Sequence, residues 1–204
     1  MRGVAARDAA AQRSSITWAT TRIQGAGFSF DAGARLARHG QTALVGSGRY
    51  FEDFTVDEVY RHPLGRTVTA TDNAWMTLLT QNTAPLHFDA NYARQTAWGR
   101  PVVNSTFTLA LVTGQSVGDV SQRVFANLGW DEVRLPAPVF EGDTIYSEST
   151  VLQARPSRSH PDTGLVEVRT VGYNQDGTVV ISFRRSLLVF RRGHGPAENP
   201  KPVR

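Results

Sequence analysis

The residue best suited to acid–base chemistry is His87, within the segment "LTQNTAPLHFDANYARQTAWGRPVVNS" at positions 79–105. An imidazole titrates near neutral pH, so it can take up and release a proton under physiological conditions. Pro85, two residues earlier, restricts the backbone that leads to it. A single histidine in a loop can equally be a surface residue or a hydrogen-bonded filler, so His87 alone does not define a reaction.

The same segment ends where an apolar helix is predicted to begin, at Asn104 and Ser105. The first N–H groups of a helix lack intrahelical partners and lie at the positive end of the helix dipole. The backbone N–H of Ser105 could therefore bind an oxyanion that forms during a reaction. Alternatively, Asn104 or Ser105 serves only as the N-cap of the helix, and the two roles are compatible.

This pattern resembles the MaoC-like hydratases and dehydratases. Their motif is a small residue, Gly, Asp, any residue, Asn-Pro-aliphatic-His, followed later by Pro-aliphatic-aliphatic-His-Gly. Pro85-Leu86-His87 and Pro101-Val102-Val103 match it directly. The remaining motif positions are taken by Thr80, Gln81, Asn82, Ala84, Asn104 and Ser105. The resemblance runs from about Arg49 to Arg192. It is strongest to the subgroup linked to mesaconyl-CoA and itaconyl-CoA hydration, which shares "NTxPLHFD", "FGRPLVNST" and "SRSxP".

The resemblance implies reversible hydration of an enoyl-CoA thioester, with a branched dicarboxylic acyl group in the substrate. That reaction must deprotonate a water, deliver a proton to Cα and stabilise negative charge on the thioester oxygen. His87 is the expected acid and base, and the Ser105 N–H is the expected oxyanion donor. Thr113, two helical turns later, matches a hydroxyl position of the family and is expected either to bind substrate or to bond to its own helix.

Asn82 departs from the family motif, which usually has Asp at this position. An amide can orient a water but cannot take its proton. Either His87 is the sole base, or a carboxylate such as Asp72 or Asp89 replaces the missing Asp, or activity is lost. The similar subgroup also carries Asn here, which favours a working enzyme in which Asn82 orients the water. Asp89 is better explained as a helix cap.

Arginines are the expected ligands of the anionic parts of the substrate. Arg61, Arg66 and Arg100 could pair with a distal carboxylate, and Arg100 is favoured because it is nearest to the site in sequence. Phosphates of coenzyme A could meet arginines of the C-terminal half, namely Arg155, Arg158, Arg184, Arg185, Arg191 and Arg192. Arg184 and Arg185 are adjacent on a strand, so only one of them can face a given ligand. Trp98 and Trp130 are expected in the core. No histidine pair has metal-ligand spacing, and we expect neither a metal nor another cofactor.

Charge and composition narrow the function classes further. The net charge is +4, but residues 1–48 hold six Arg and two Asp, so the remaining chain carries 16 basic and 16 acidic groups. We therefore expect no nucleic-acid partner. We also expect no membrane association, because no apolar run approaches 18 residues. The chain has no cysteine, which excludes disulfides, thiolate metal sites and a cysteine nucleophile. With no apolar signal core at the N-terminus, we expect a cytoplasmic location.

Three regions are predicted along the chain. Residues 1–48 are rich in Ala, Arg and Gly and form a poorly ordered basic extension, either a targeting peptide or a dispensable tail. The folded domain spans residues 49–192, and the Pro-containing residues 193–204 form a C-terminal tail.

Periodicity places the motifs on elements. One strand is predicted near residues 58–71, then a helix over residues 73–82 capped by Thr71 or Asp72, and a short helix capped by Asp89. A helix over residues 104–117 is apolar on nearly all sides and is therefore expected to be enclosed. Four strands follow, near residues 123–135, 143–156, 164–177 and 178–192, with a hairpin turn at Asn174–Gly177.

The predicted fold class is α+β, because a curved antiparallel sheet wrapped around one long apolar helix is the arrangement of a single hot-dog fold. Such a unit leaves a sheet edge and one end of the helix uncovered, so we expect a homodimer or a higher homo-oligomer with its site near the interface. Two alternatives remain at this point: a hot-dog thioesterase, against which the Pro-Leu-His order argues, and a non-catalytic acyl-CoA binder, which Asn82 would permit.

Overall fold

An antiparallel sheet is the main layer of the molecule, and the computed structural model describes it within residues 48–196. The strand order is β1-β4-β5-β6-β3, and a further short strand, β2, pairs with β4. The predicted N-terminal extension, apart from Gly48, and residues 197–204 of the predicted tail lie outside the described residues.

The four strands predicted in the second half of the chain are confirmed. They are β3 (Val124–Arg134), β4 (Thr144–Pro156), β5 (Thr163–Tyr173) and β6 (Val179–Phe190). The hairpin between β5 and β6 turns at Asn174–Gly177, where Asn174 Oδ1 accepts hydrogen bonds from the backbone N–H groups of Asp176 and Thr178. Within this turn, Gly177 has a positive φ and Asp176 does not.

The predicted first strand is interrupted. It consists of β1 (Val59–Arg61) and β2 (Arg66–Thr67), which pair with β4 at separate places. Pro63 lies between them, and a proline cannot donate to the ladder of a sheet. Gly65 also passes against the Tyr146 ring, where an added Cβ would lie 2.3 Å from a ring carbon, so the chain crosses β4 without room for a side chain.

The helix over Ser105–Gln115, here called α3, packs against β4 and β5 of the sheet. Gly172 of β5 permits the close approach, because a Cβ there would lie 2.7 Å from Val112 Cγ2. Thr108 and Val112 are buried, but Ala110 and Gly114 are exposed. The expectation that the helix is enclosed is therefore wrong for one chain: the sheet covers one face, and the opposite apolar face remains open.

The helix over Ala70–Leu79, here called α1, exposes its apolar side and buries a polar one. Its apolar side chains are exposed, with Trp75 at 67%, Leu78 at 59% and Leu79 at 78%, whereas Asn73 and Thr77 are fully buried. The predicted cap is wrong by two or three residues. Thr69 caps the helix, and Asp72 is the third helical residue of a capping box that bonds back to the Thr69 N–H.

A chain of hydrogen-bonded polar side chains includes the buried residues His62, Ser149 and Thr170. His62 bonds through Nδ1 to Asp119 Oδ2 at 2.9 Å and through Nε2 to Ser149 Oγ at 2.9 Å. Arg49 also reaches Asp119, at 2.8 Å, and Ser149 Oγ is 2.8 Å from Thr170 Oγ1. The hydrogen bond from His62, followed by that from Arg49, lowers the pKa of Asp119, although burial opposes them.

The described residues form one compact unit, and the predicted class, an α+β hot-dog fold, is confirmed. Its core has two parts. One is centred on β4, β5 and β6 beneath Phe54 and Tyr60, and the other packs around Val112 of α3.

Candidate active site

The buried polar face of α1 gathers the residues that were predicted to act together. Asn73 and Thr77 lie one helical turn apart on this face and are both 0% exposed. Their side chains and backbone bond to the segments that carry Asn82, His87 and Asn104. A helix that buries amide and hydroxyl groups must satisfy them. Here the Asn73 amide bonds to backbone groups of the candidate site, and the Thr77 hydroxyl accepts from the side-chain amide of Asn104.

His87 ends a 3-10 turn, Pro85–His87, and its ring is anchored by one hydrogen bond. Nδ1 is 2.8 Å from the carbonyl oxygen of Val102. A carbonyl can only accept, so Nδ1 carries the proton and Nε2 of the neutral ring keeps its lone pair. No group of the described residues bonds to Nε2, and His87 is half-buried, so this nitrogen is placed to act as a base toward a ligand.

Asn82 follows α1 in a C-terminal cap of the Schellman type. The N–H of Gln81 bonds to Leu78 O, the N–H of Asn82 bonds to Thr77 O, and Gln81 has φ +57°. Gln81 takes the position of the motif glycine, and its left-handed backbone explains why glycine suits that position. Asn82 Oδ1 accepts the Ala84 N–H at 3.0 Å, which leaves Nδ2 as a donor without a partner among the described residues.

Asn104 is the N-cap of α3, which is one of the two roles expected for the start of this helix. Its Oδ1 accepts from the Thr106 N–H at 3.0 Å, and its buried Nδ2 donates to Thr77 Oγ1 at 3.3 Å. The next residue, Ser105, is exposed at the mouth of the helix, and its N–H makes no hydrogen bond within residues 48–196. The helix mouth is therefore open, with one N–H available to an anion.

Thr113 lies two turns along α3, and its hydroxyl is buried without a hydrogen-bond partner in the described part of the chain. The expected alternative, that Thr113 bonds to its own helix, is therefore wrong. An unsatisfied buried hydroxyl costs roughly 1–3 kcal/mol, so a polar partner at this point would be favourable.

The two carboxylates proposed as substitutes for the motif Asp are engaged elsewhere. Asp89 caps the short helix α2 (Ala90–Ala93), accepting the N–H groups of Asn91 and Tyr92 at 2.9 Å each. Asp72 receives two hydrogen bonds of 2.7 Å from Arg66, which strongly lower its pKa and keep it ionised. His87 is thus the one candidate base whose proton-accepting atom remains available.

Of the arginines considered for a distal carboxylate, only Arg100 lacks a carboxylate partner in residues 48–196. Arg66 is paired with Asp72, and Arg61 lies 3.6 Å from Glu148. The Arg100 guanidinium lies 3.8 Å from the centroid of the Phe140 ring. Stacking on the ring holds the guanidinium plane while its N–H edge can still bind a carboxylate.

The arginines considered for phosphate binding differ in their surroundings. Arg184 is paired with Glu132 and Glu167, Arg191 with Glu52, and Arg192 with Asp53. Arg184 faces outward and Arg185 inward, as adjacent strand residues must. Arg185 is 4% exposed, its burial lowers its pKa, and it bonds to Asn127 Oδ1 and Ser116 Oγ at the end of α3. Arg155 and Arg158 form no ion pair within the described residues.

Among residues 48–196, no three His, Asp or Glu side chains come together in a way that could hold a metal ion. None of the helices described is long and apolar enough to cross a membrane. Trp98 is half-buried and packs on Phe140, but Trp130 is 42% exposed, so its expected place in the core is wrong.

Asn73 and Thr77 are the site residues that sequence reasoning missed. Trp75, Leu78 and Leu79 recur at helical spacing, a pattern that indicates a helix and draws attention away from the polar residues between them. The signal that could have found Asn73 is its residue type, because asparagine is unfavourable inside a helix unless its amide is used.

The family comparison places these residues in context. The sequence model of the mesaconyl-CoA hydratase family matches residues 30–199. The mesaconyl-CoA hydratase of Cereibacter sphaeroides is 36% identical over 146 residues, which are 72% of this chain and 42% of that protein. The beta-methylmalyl-CoA dehydratase of Chloroflexus aurantiacus is 32% identical over 151 residues, 74% of this chain and 43% of that protein.

A solved structure has a similar fold. The putative MaoC domain protein dehydratase from Chloroflexus aurantiacus superposes with a TM-score of 0.70 at 31% identity, covering 80% of this chain and 46% of that one. The chain thus spans a little under half the length of the curated relatives it matches.

Proposed function

Because this chain belongs to the mesaconyl-CoA hydratase family, we propose that it catalyses reversible hydration of an enoyl-CoA thioester. The substrate is a branched dicarboxylic acyl-CoA such as mesaconyl-CoA or itaconyl-CoA. The observation that carries the proposal is the convergence of Asn82, His87 and the N-terminus of α3 on the buried polar face of α1. No cofactor is needed, since the chemistry consists of proton transfers and the addition of water.

The chemistry begins with a water held by Asn82 Nδ2–H and deprotonated by His87 Nε2. The hydroxide adds to Cβ of the enoyl group, and electrons move through Cα to the thioester oxygen. The Ser105 N–H donates to that oxygen, and the positive end of α3 lies beside it. The imidazolium then returns its proton to Cα, which completes the 3-hydroxyacyl product and regenerates the neutral ring.

Arg100 supplies selectivity for a dicarboxylic acyl group. Its guanidinium is stacked on Phe140, two residues from Val102, whose carbonyl anchors His87. Thr113, with its unpartnered hydroxyl, offers a second polar contact for the substrate.

A second copy of the chain is the proposed partner. The matched relatives are more than twice the length that this chain covers, and three surfaces here remain open: the edge of β3, the outer face of α3 and the apolar face of α1. A homodimer would cover them and bring a second chain to the site. A cytoplasmic location remains a prediction from the sequence, as do the absence of nucleic-acid and membrane partners.

The test is incubation of the purified protein with mesaconyl-CoA, itaconyl-CoA and crotonyl-CoA while enoyl absorbance and free thiol are followed. Loss of enoyl absorbance without free thiol is the expected result. Release of thiol would instead identify a thioesterase. Saturable binding with neither change would identify a non-catalytic acyl-CoA binder, and both outcomes would overturn the proposal.

A further inference from the structure

The side chain of Asn73 makes three hydrogen bonds, and all of them go to backbone groups of the candidate site. Its Nδ2 donates to His87 O at 2.7 Å and to Val102 O at 3.2 Å, and its Oδ1 accepts from the Asn104 N–H at 2.9 Å. The three partners are 14, 29 and 31 residues away in sequence. One fully buried side chain therefore joins three segments that the chain connectivity leaves far apart.

We propose that Asn73 is a positioning residue that holds the His87 loop, the Val102 carbonyl and the first residue before α3 in one geometry. The inference rests on the proposed hydratase function. In this role, Asn73 sets where the base, the His87 ring, lies relative to the oxyanion donor, the Ser105 N–H. Asn73 bonds to neither group directly and acts through the neighbouring backbone.

Only an amide satisfies this position. The Asn104 N–H requires an acceptor, and the carbonyl groups of His87 and Val102 each require a donor. Aspartate keeps the acceptor but loses both donors and puts negative charge against two carbonyl oxygens. Serine is too short to reach all three groups. Each replacement leaves buried polar groups unsatisfied.

The bonds of Asn73 and of the His87 ring meet at one atom. Val102 O accepts from His87 Nδ1 and from Asn73 Nδ2, so both lone pairs of this oxygen are used. The same oxygen selects the ring tautomer that leaves Nε2 free. Loss of Asn73 releases both the backbone of His87 and the acceptor of its ring, so the tautomer is expected to become mixed.

The experiment compares Asn73→Asp with wild-type protein, with Thr170→Val as a matched control. Thr170 is also fully buried, and its hydroxyl bonds to that of Ser149 on the neighbouring strand β4, not to a residue of the candidate site. Two measurements are made well below the melting temperatures. Steady-state kinetics give kcat and KM for mesaconyl-CoA. Long-range ¹H–¹⁵N spectra give the tautomer of the His87 ring, whose signals are assigned by their absence in His87→Gln. Asn73→Ser takes the place of Asn73→Asp if the latter does not fold.

We expect Asn73→Asp to lower kcat at least tenfold, with KM within threefold, and to reduce the Nδ1–H tautomer of His87. Thr170→Val should lower the melting temperature but leave both readouts at their wild-type values. The proposal is overturned if the tautomer is unchanged in the Asn73 variant, or if the control changes equally. If wild-type protein hydrates no thioester, the tautomer still decides the role of Asn73, and only the proposed function fails.

Discussion

At the scale of single residues, the proposed mechanism depends on one ring nitrogen. His87 Nδ1 is committed to Val102 O, so Nε2 is the atom that we propose takes the proton of water. Replacement of His87 by Ala removes this base, while the backbone bond from Asn73 to His87 O can persist. We expect kcat to fall at least a hundredfold, within the range of about 10² to 10⁴ typical of acid–base catalysis.

Steady-state hydration of mesaconyl-CoA measures this change. His160→Ala is the matched control, because that histidine is exposed and stacks on Phe125 far along the chain from the site residues. Turnover by His87→Ala above one tenth of the wild-type rate would remove His87 from the mechanism.

Arg100 permits a prediction about substrate choice. Arg100→Met keeps much of the apolar stem over Phe140 but loses the charge that would pair with a distal carboxylate. We expect KM for mesaconyl-CoA to rise at least tenfold and KM for crotonyl-CoA, which has no distal carboxylate, to change less than twofold. Kinetics on both thioesters measure the difference, and Arg61→Met, at an exposed arginine already beside Glu148, serves as the control. Equal effects of Arg100→Met on the two substrates would contradict the assigned role.

At the scale of elements, the end of α1 holds a non-glycine residue in the left-handed region. Gln81 has φ +57°, a conformation that costs an L-residue roughly 1–2 kcal/mol. Gln81→Gly removes this cost but enlarges the conformational entropy of the unfolded chain by about 0.4–1 kcal/mol. We expect a net gain of about 0.5 kcal/mol in the free energy of unfolding, and a loss for Gln81→Val.

Urea denaturation at fixed protein concentration measures both variants. Thr83→Gly, in the same exposed loop but with an ordinary φ, should be destabilising and provides the control. A stability ranking with valine above glutamine at position 81 would mean that the cap does not form in solution.

Asp119 gives a pH-dependent contribution from the segment after α3. Its pKa is lowered in the folded state by His62 and Arg49, so its carboxylate stabilises the fold above the unfolded pKa, near 3.8. This contribution is lost as the pH falls below that value toward the lowered folded pKa. We expect Asp119→Asn to be less stable than wild type at pH 6, and the difference to shrink as the pH is lowered to 3.

Denaturation midpoints across this range measure the effect, with Asp131→Asn on an exposed stretch of β3 as the control. A constant difference between wild type and Asp119→Asn from pH 6 to pH 3 would contradict the linkage.

The sequence predicted those elements whose pattern is set by one neighbouring layer. The strands β3 to β6 alternate because the sheet has a covered and an open face, so their positions were predictable to within two residues at most ends. The orientation of α1 was not predictable, because Asn73 and Thr77 are buried by bonds to residues as far away as Asn104. Periodicity contains no information about such distant partners.

At the scale of the whole molecule, the open surfaces predict self-association. The edge strand β3 exposes Leu128 at 54%, and Phe125, Trp130 and Leu135 are also exposed along or beside it. An edge of this kind pairs readily with another strand. We expect a particle of about twice the 22.4 kDa chain mass in sedimentation velocity, and at least a tenfold weaker dimer for Leu128→Glu.

Leu152→Glu, at an exposed position on β4 rather than on the edge strand, is the matched control and should leave the mass unchanged. A monomeric wild-type protein at micromolar concentration would show that β3 is not an interface between copies.

The candidate site was predictable at this scale only in part. The motif placed His87, Asn82 and the start of α3 near one another, and their convergence follows from the fold. The groups that hold these residues in place were not predictable from the motif. Asn73 and Thr77 belong to no recognised sequence pattern, and the role of the Val102 carbonyl is not visible from its residue type.

The single oxygen of Val102, which serves both the imidazole and the Asn73 amide, links recognition to reactivity. Arg100 is only two residues away along the same segment, so in the proposed function we expect a dicarboxylic ligand bound by its guanidinium to shift the backbone that sets the proton on the ring. Occupancy of one end of the acyl group and basicity at the other would then no longer be independent variables. A simple monocarboxylic thioester would differ in how fast it reacts once bound, and not merely in how tightly it is held.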